Sequence, residues 1–128
     1  MREILFRAKR RDNKQWVKGS LLFYPDVNRA FMSLGEFKGG SFIEVFKDTV
    51  GQFTGLADKN DKGVFEGDIV KMFYKDGFEI GVIGWSNIDL RYKFASPDGT
   101  AYGFDVTDTI EVIGNIHDNP ELLKEGAE

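Results

Sequence analysis

Two short stretches hold the residues best suited to chemistry in this chain of 128 residues. Asp58-Lys59-Asn60-Asp61-Lys62-Gly63 begins like a calcium loop of the form D-x-[DN]-x-[DN]-G-x5-E. With Asp58 as the first ligand, Asn60 falls third and Gly63 sixth, as such a loop requires. Lys62 takes the fifth position and Ile69 the twelfth, where a bidentate Glu must sit. An ammonium group inside the loop and no closing carboxylate leave no calcium site, so a polar surface loop and no metal are expected. The second stretch is Glu66-Gly67-Asp68. Carboxylates two apart on a strand share a face, but these flank a turn, where water reaches them. General acid chemistry needs one carboxyl held in a dry pocket with a raised pKa. The structural reading is that Gly67 permits a sharp turn and Asp68 bonds local backbone to launch a strand.

Other chemistries lack their parts. The chain has no Cys and a single His, which removes disulfides, thiolate metal sites and thiol nucleophiles. A Ser-His-Asp arrangement would have to recruit His117, and no nucleophile-elbow motif accompanies it. His117 precedes a helix start and is expected at the surface, packed on Leu122 or Leu123. The glycine-bearing stretches "GQFTG" and "GVIGW" lack both the Lys-Ser/Thr ending and the following helix of a phosphate loop. The expectation is a protein that is not an enzyme and takes no cofactor. A hydrolase built on Glu66, Asp68 or nearby acids ranks last.

Charge offers a binding chemistry instead. Net charge is −4, yet residues 1–18 hold seven bases against two acids, and residues 105–128 hold seven acids against Lys124. Arg7, Lys9, Arg10, Arg11 and Lys14, with Trp16 among them, are the candidate contacts for a partner or for nucleic acid, combining phosphate neutralisation with stacking. The acidic balance of the whole chain opposes that reading. Two solvated surfaces of opposite sign, or ends that attract one another within or between subunits, are the competing readings.

The elements that must position these groups are strands. Twelve Phe and 15 Gly with only three Pro suit pleated surfaces broken by turns. In "EILFRAK", Ile4, Phe6 and Ala8 face one way and Arg7 and Lys9 the other. "WVKGSLLFY", "RAFMSL" and "SFIEVF" follow, separated by Asp12-Asn13, by "PDVN" and by "KGG". Residues 1–50 therefore read as a β-meander. Residues 51–117 hold five further short strands, with Asp76-Gly77 a strong hairpin signal and Gly81, Gly84 and Gly114 placed inside strands, where a bend or bulge is expected. Short bent strands that close on themselves predict a small barrel, with an open antiparallel sheet as the alternative. Residues 118–128 read as one or two turns of helix with Asn119 as N-cap, Pro120 at its first position and a frayed tail. The class is all-β. No window approaches 18 uninterrupted apolar residues, and the N-terminus lacks the apolar centre of a signal peptide, so a cytoplasmic protein without membrane contact is expected.

The stretches "MREILFRA", "VGQFTGLADKNDKGVFEGDIVKM" and "EVIGNIHDNPELL", in this order, resemble the YopX-like proteins of bacteriophages and prophages. The resemblance implies an SH3-like barrel in the C-terminal half and a phage or prophage origin. It implies no established activity or catalytic residue. The sequence departs from the family pattern at His117, where Tyr is more usual.

The rings point to assembly. A five-stranded barrel has a narrow interior and cannot enclose twelve Phe and two Trp. Phe23, Phe31, Phe42 and Phe46, with Tyr24 and Phe37, crowd the N-terminal strands on both faces. Large apolar patches usually mark interaction sites. A non-enzymatic binding or self-assembling protein, most simply a homo-oligomer, is the expected function. A nucleic-acid-binding accessory factor is the alternative.

Overall fold

The computed structural model of the chain describes residues 4–34, 42–103 and 109–126. They fall into two compact units, Met1–Phe53 and Thr54–Glu128. In the first, alternation of apolar and polar residues produces the expected meander: β1 (Phe6–Lys9), β2 (Trp16–Tyr24), β3 (Arg29–Ser33) and β4 (Phe42–Val45). They pair antiparallel in the order β4-β3-β2-β1. The register gathers Ala8, Ala30, Met32 and Val45 on one face, where all four are buried, with Phe6, Val17, Leu21 and Val50 packed around them. A 3-10 turn, Lys47–Thr49, follows β4. Phe37 lies outside the described residues.

The two ends of this pairing order meet. Arg10 forms an isolated antiparallel bridge with Val45, the Arg11 N–H donates to the Glu44 carbonyl at 3.0 Å, and the Phe46 N–H donates to the Lys9 carbonyl at 2.8 Å. The C-terminal half of β4 is therefore covered by the chain leaving β1.

β5 (Gly51–Ala57) starts in the first unit, where Gly51 and Gln52 pair with Arg7 and Phe6, and runs on into the second, where it pairs with β6 (Gly63–Phe65). Gly51–Ala57 is thus a strand that the sequence pattern did not reveal, and Asp58–Lys62 is the polar turn that joins it to β6. Gly51 and Gly55 interrupt the apolar alternation that marks a strand, which hid β5 from pattern reading. Five more strands follow: β7 (Asp68–Tyr74), β8 (Gly77–Ser86), β9 (Arg91–Ala95), β10 (Ala101–Gly103) and β11 (Thr109–Asn115), in the order β10-β9-β8-β7-β11. Residues Phe104–Val106 of the strand expected after "PDG" lie outside the described residues. Val64, Val70, Ile83, Phe94 and Ile110 form the buried core of this unit, with Leu56, Met72, Tyr92 and Val112 around it. The register of β11 slips between Val112 and Gly114, the irregularity expected of an interior glycine.

The all-β class holds, but the expected closed barrel does not. Among the described residues β10 and β11 end the sheet unpaired with each other. The outer edge of β11 is met by the β5–β6 turn: the Lys59 N–H donates to the Ile110 carbonyl and the Val112 N–H to Oδ2 of Asp58, each at 2.9 Å. The backbone groups of Ile110 and Val112 bonded by the β5–β6 turn are not available to β10. The chain ends in α1 (Glu121–Gly126), packed against β8. The Asn119 Oδ1 accepts the Asn115 N–H at 3.2 Å. No helix among the described residues is long and apolar enough to cross a membrane.

Candidate interaction surface

The acids singled out for chemistry serve the backbone. Asp58 is buried, and its Oδ1 accepts the N–H groups of Asn60 and Lys62, both at 2.9 Å, while Oδ2 accepts that of Val112 at 2.9 Å. Burial pushes this carboxyl up, but the N–H donors of Val112, Lys62 and Asn60 outweigh it and hold the pKa below its ordinary value. Both oxygens face amides, not a vacant cation position. Asp68 is likewise buried, and its Oδ2 accepts the Phe65 N–H at 2.8 Å across the turn in which Gly67 takes φ +87°. That geometry requires a residue without Cβ. Glu66 is half-buried beside it. His117 is half-buried near Gly67, its Nε2 3.9 Å from where a Cβ on Gly67 would stand. Among the described residues no three His, Asp or Glu side chains are grouped to hold a metal ion.

The basic and aromatic candidates of the first unit share one region. Alternation on β1 and β2 puts Arg7 and Lys9 on the face opposite the core, with Trp16 across from Lys9. The Arg7 guanidinium lies 4.9 Å and the Lys9 ammonium 5.5 Å from the Trp16 ring centre. Such contacts are attractive cation–π interactions between the ring and its neighbouring cations. Arg10 forks onto Asp12, Nε to Oδ1 at 2.9 Å and Nη2 to Oδ2 at 2.7 Å. Arg11 sits 4.9 Å above the Phe46 ring with its Nε 3.9 Å from Glu44. Lys14 stands apart, at the β1–β2 turn with φ +61°.

Of the four phenylalanines, Phe31, Phe42 and Phe46 lie on this outer side and Phe23 does not. Phe42 and Glu44 alternate with the core residue Val45, and Phe31 stands across from Glu44, whereas Phe23 pairs with core-facing Ala30. Phe31 meets Tyr24 edge-on at 5.7 Å and carries the Arg29 guanidinium at 5.2 Å. Phe42 is 51% exposed. It lines a depression of about 400 Å³ together with Arg10, Arg11, Asp12, Ile43 and Glu44, where the chain leaving β1 meets β4.

Two acids that sequence reading passed over organise this depression. Glu44 receives both nitrogens of the Arg29 fork, at 2.9 and 2.8 Å, and also faces Arg11. The Arg29 guanidinium holds its carboxyl below the ordinary value, as Arg10 does that of Asp12. The signal was present: Glu44 is the sole acid in an otherwise apolar strand. The result is a surface of one exposed ring and mixed, mutually compensated charges. It is a shape for non-covalent contact, without a carboxyl of raised pKa.

Comparison with known proteins places this architecture. No curated protein matches the sequence. The structure is similar to the crystal structure of protein EF1440 from Enterococcus faecalis, with a TM-score of 0.61, 30% identity, and 96% of this chain and 99% of that chain covered. The YopX protein family matches residues 5–124, nearly the whole length, and therefore includes all eleven strands and the start of α1. The chain belongs to the YopX protein family.

Proposed function

We propose that the protein works by binding rather than by catalysis, in the cytoplasm of a bacterial host of a phage or prophage, and that a second copy of the chain occupies the Phe42 depression. The observation that carries this reading is the composition of the depression: Arg10 and Arg11 lie beside Asp12 and Glu44 around a half-exposed ring. A patch holding both signs is self-complementary, so a two-fold axis brings cations of one copy onto acids of the other. The edge of β4 at Phe42 lies beyond the part that Lys9 and Arg11 cover among the described residues. Sedimentation velocity tests this: Phe42→Glu weakens self-association by at least about tenfold, a loss on the order of 1.4 kcal/mol, while Phe23→Glu on the opposite face has little effect. Equal effects of the two substitutions would refute it.

A second reading, nucleic-acid binding, is favoured by one observation. Residues 1–53 hold ten bases and six acids, a balance of +4, and Lys18 is exposed on the same side as Trp16. Titration with a short single-stranded oligonucleotide at rising salt distinguishes it, since phosphate contacts give a steep salt dependence. The strand order β10-β9-β8-β7-β11, in which the last strand returns beside the first, supports an SH3-like description of the second unit.

A further inference from the structure

The outer face of β8, β9 and β10 carries a second depression, of about 410 Å³, lined by Gly84, Ala95, Ala101, Ile88, Asp89 and Lys93, with Trp85 bordering it from the core-side face, where its ring meets Tyr92. Pairing of Gly84 with Lys93, of Ser86 with Arg91 and of Gly103 with Lys93 puts both cations on this face. They differ in one respect. Lys93 is bonded to Asp89, whereas Arg91 has no hydrogen-bonding or ionic partner among the described residues. The Arg91 guanidinium lies flat on β10, and only the missing side chain of Gly103 allows this. A Cβ there would stand 2.7 Å from its Cζ and Nη2.

The hairpin tip beside the depression, Asn87-Ile88-Asp89-Leu90, alternates the turn residues Asn and Asp with two apolar ones. Ile88 is 93% and Leu90 71% exposed, and Leu90 takes φ +53°, a region unfavourable for a branched side chain. Neither residue contributes to the core of its unit. Two exposed apolar tip residues, a shallow depression with a small-residue floor, and a guanidinium without a partner among the described residues stand side by side.

We propose that this face is a docking groove for an acidic, apolar peptide segment of a partner protein. One apolar side chain of the segment enters over Ala95 and Ala101 against Ile88, and a neighbouring carboxylate meets the Arg91 fork. Arg is suited to this because its planar nitrogens match the two carboxylate oxygens. Charge selects the class of partner. Residues 54–128 hold seven bases and 15 acids, a balance of −8, which repels a polyanion but admits a single carboxylate held locally by Arg91. Exposed Ile88 and Leu90 likewise suit a peptide rather than a phosphate chain.

Amide NMR on the full chain tests this with acetyl-Leu-Glu-Leu-Glu-amide as probe. Saturable shifts are expected at Trp85, Ile88, Ala95 and the Arg91 side chain. The Gln counterpart of the peptide, and the variant Arg91→Gln, should each weaken binding by at least about fivefold. Gly103→Ala, which displaces the guanidinium without touching a core residue, should do the same; unchanged shifts elsewhere in its spectrum establish that it folds. No response to the peptide up to about 10 mM, equal binding of the Gln peptide, or unaltered binding by both variants would overturn the proposal. So would inorganic phosphate or oligo-dT shifting these resonances as strongly as the peptide. Shifts that vanish only in Phe42→Glu would transfer the site to the first unit and overturn it as well.

Discussion

The backbone N–H of Val112 donates to Oδ2 of Asp58 at 2.9 Å, across a separation of 54 residues. Through Oδ1 the same carboxylate closes the turn it begins, so one buried side chain joins the β5–β6 hairpin to β11. Removing it leaves three amides without their acceptor. Asp58→Ala should lower stability by about 2–4 kcal/mol, since bonds to a charged acceptor are stronger than neutral ones and unsatisfied donors add a penalty. Asp58→Asn keeps one acceptor oxygen and should lose less. Urea denaturation of the two variants beside the parent protein measures this.

The same group predicts a pH dependence. The Asp58 pKa is depressed in the folded chain, burial opposing and the N–H donors of Val112, Lys62 and Asn60 prevailing. The folded state therefore binds this proton less readily than the unfolded chain, whose carboxyl titrates near about 3.9. The stability Asp58 supplies is present above that value and lost as pH falls through the lower folded value. The stability gap between the parent and Asp58→Asn should accordingly shrink between neutral pH and pH of about 3. A gap that widens with acid would contradict the assignment.

Calcium should leave the melting temperature unchanged. A ligand stabilises in proportion to its preference for the native state, and the Asp58 loop offers amide-bonded oxygens with Lys62 among its residues. Thermal melts with millimolar calcium and with a chelator check this, and a calcium-dependent rise would show a site where backbone bonds are assigned.

Two glycines of β8 should respond oppositely to alanine. A Cβ on Gly81 would stand 2.5 Å from the Ala95 carbonyl oxygen and 2.6 Å from the Phe94 ring, whereas one on Gly84 meets nothing within 4 Å. Gly81→Ala should cost about 2–3 kcal/mol, because backbone and a fully buried ring must both move. Gly84→Ala should cost little. Denaturation midpoints decide it.

The hairpins were readable from sequence because local patterns specify them. Ile4, Phe6 and Ala8 alternate with Arg7 and Lys9, and tight-turn residues separate β7 from β8. β5 was not readable, since Gly51 and Gly55 remove the apolar alternation and Asp58 looks like a ligand rather than a turn acceptor. Arg10, Arg11 and Phe42 were each visible as surface candidates. Their meeting was not, because nothing local to β1 or β4 reveals that the ends of those strands exchange hydrogen bonds. Barrel closure failed as an expectation for a similar reason: the outer edge of β11 is met by Asp58 and Lys59, residues whose local pattern signals a turn rather than a sheet partner.

Light scattering coupled to gel filtration, at micromolar protein and again after dilution, tests the central claim most directly. Self-association through the Phe42 depression predicts a whole multiple of 14.5 kDa for the parent protein and a mass falling toward 14.5 kDa for Phe42→Glu. A parent mass of 14.5 kDa at every concentration would contradict the claim outright.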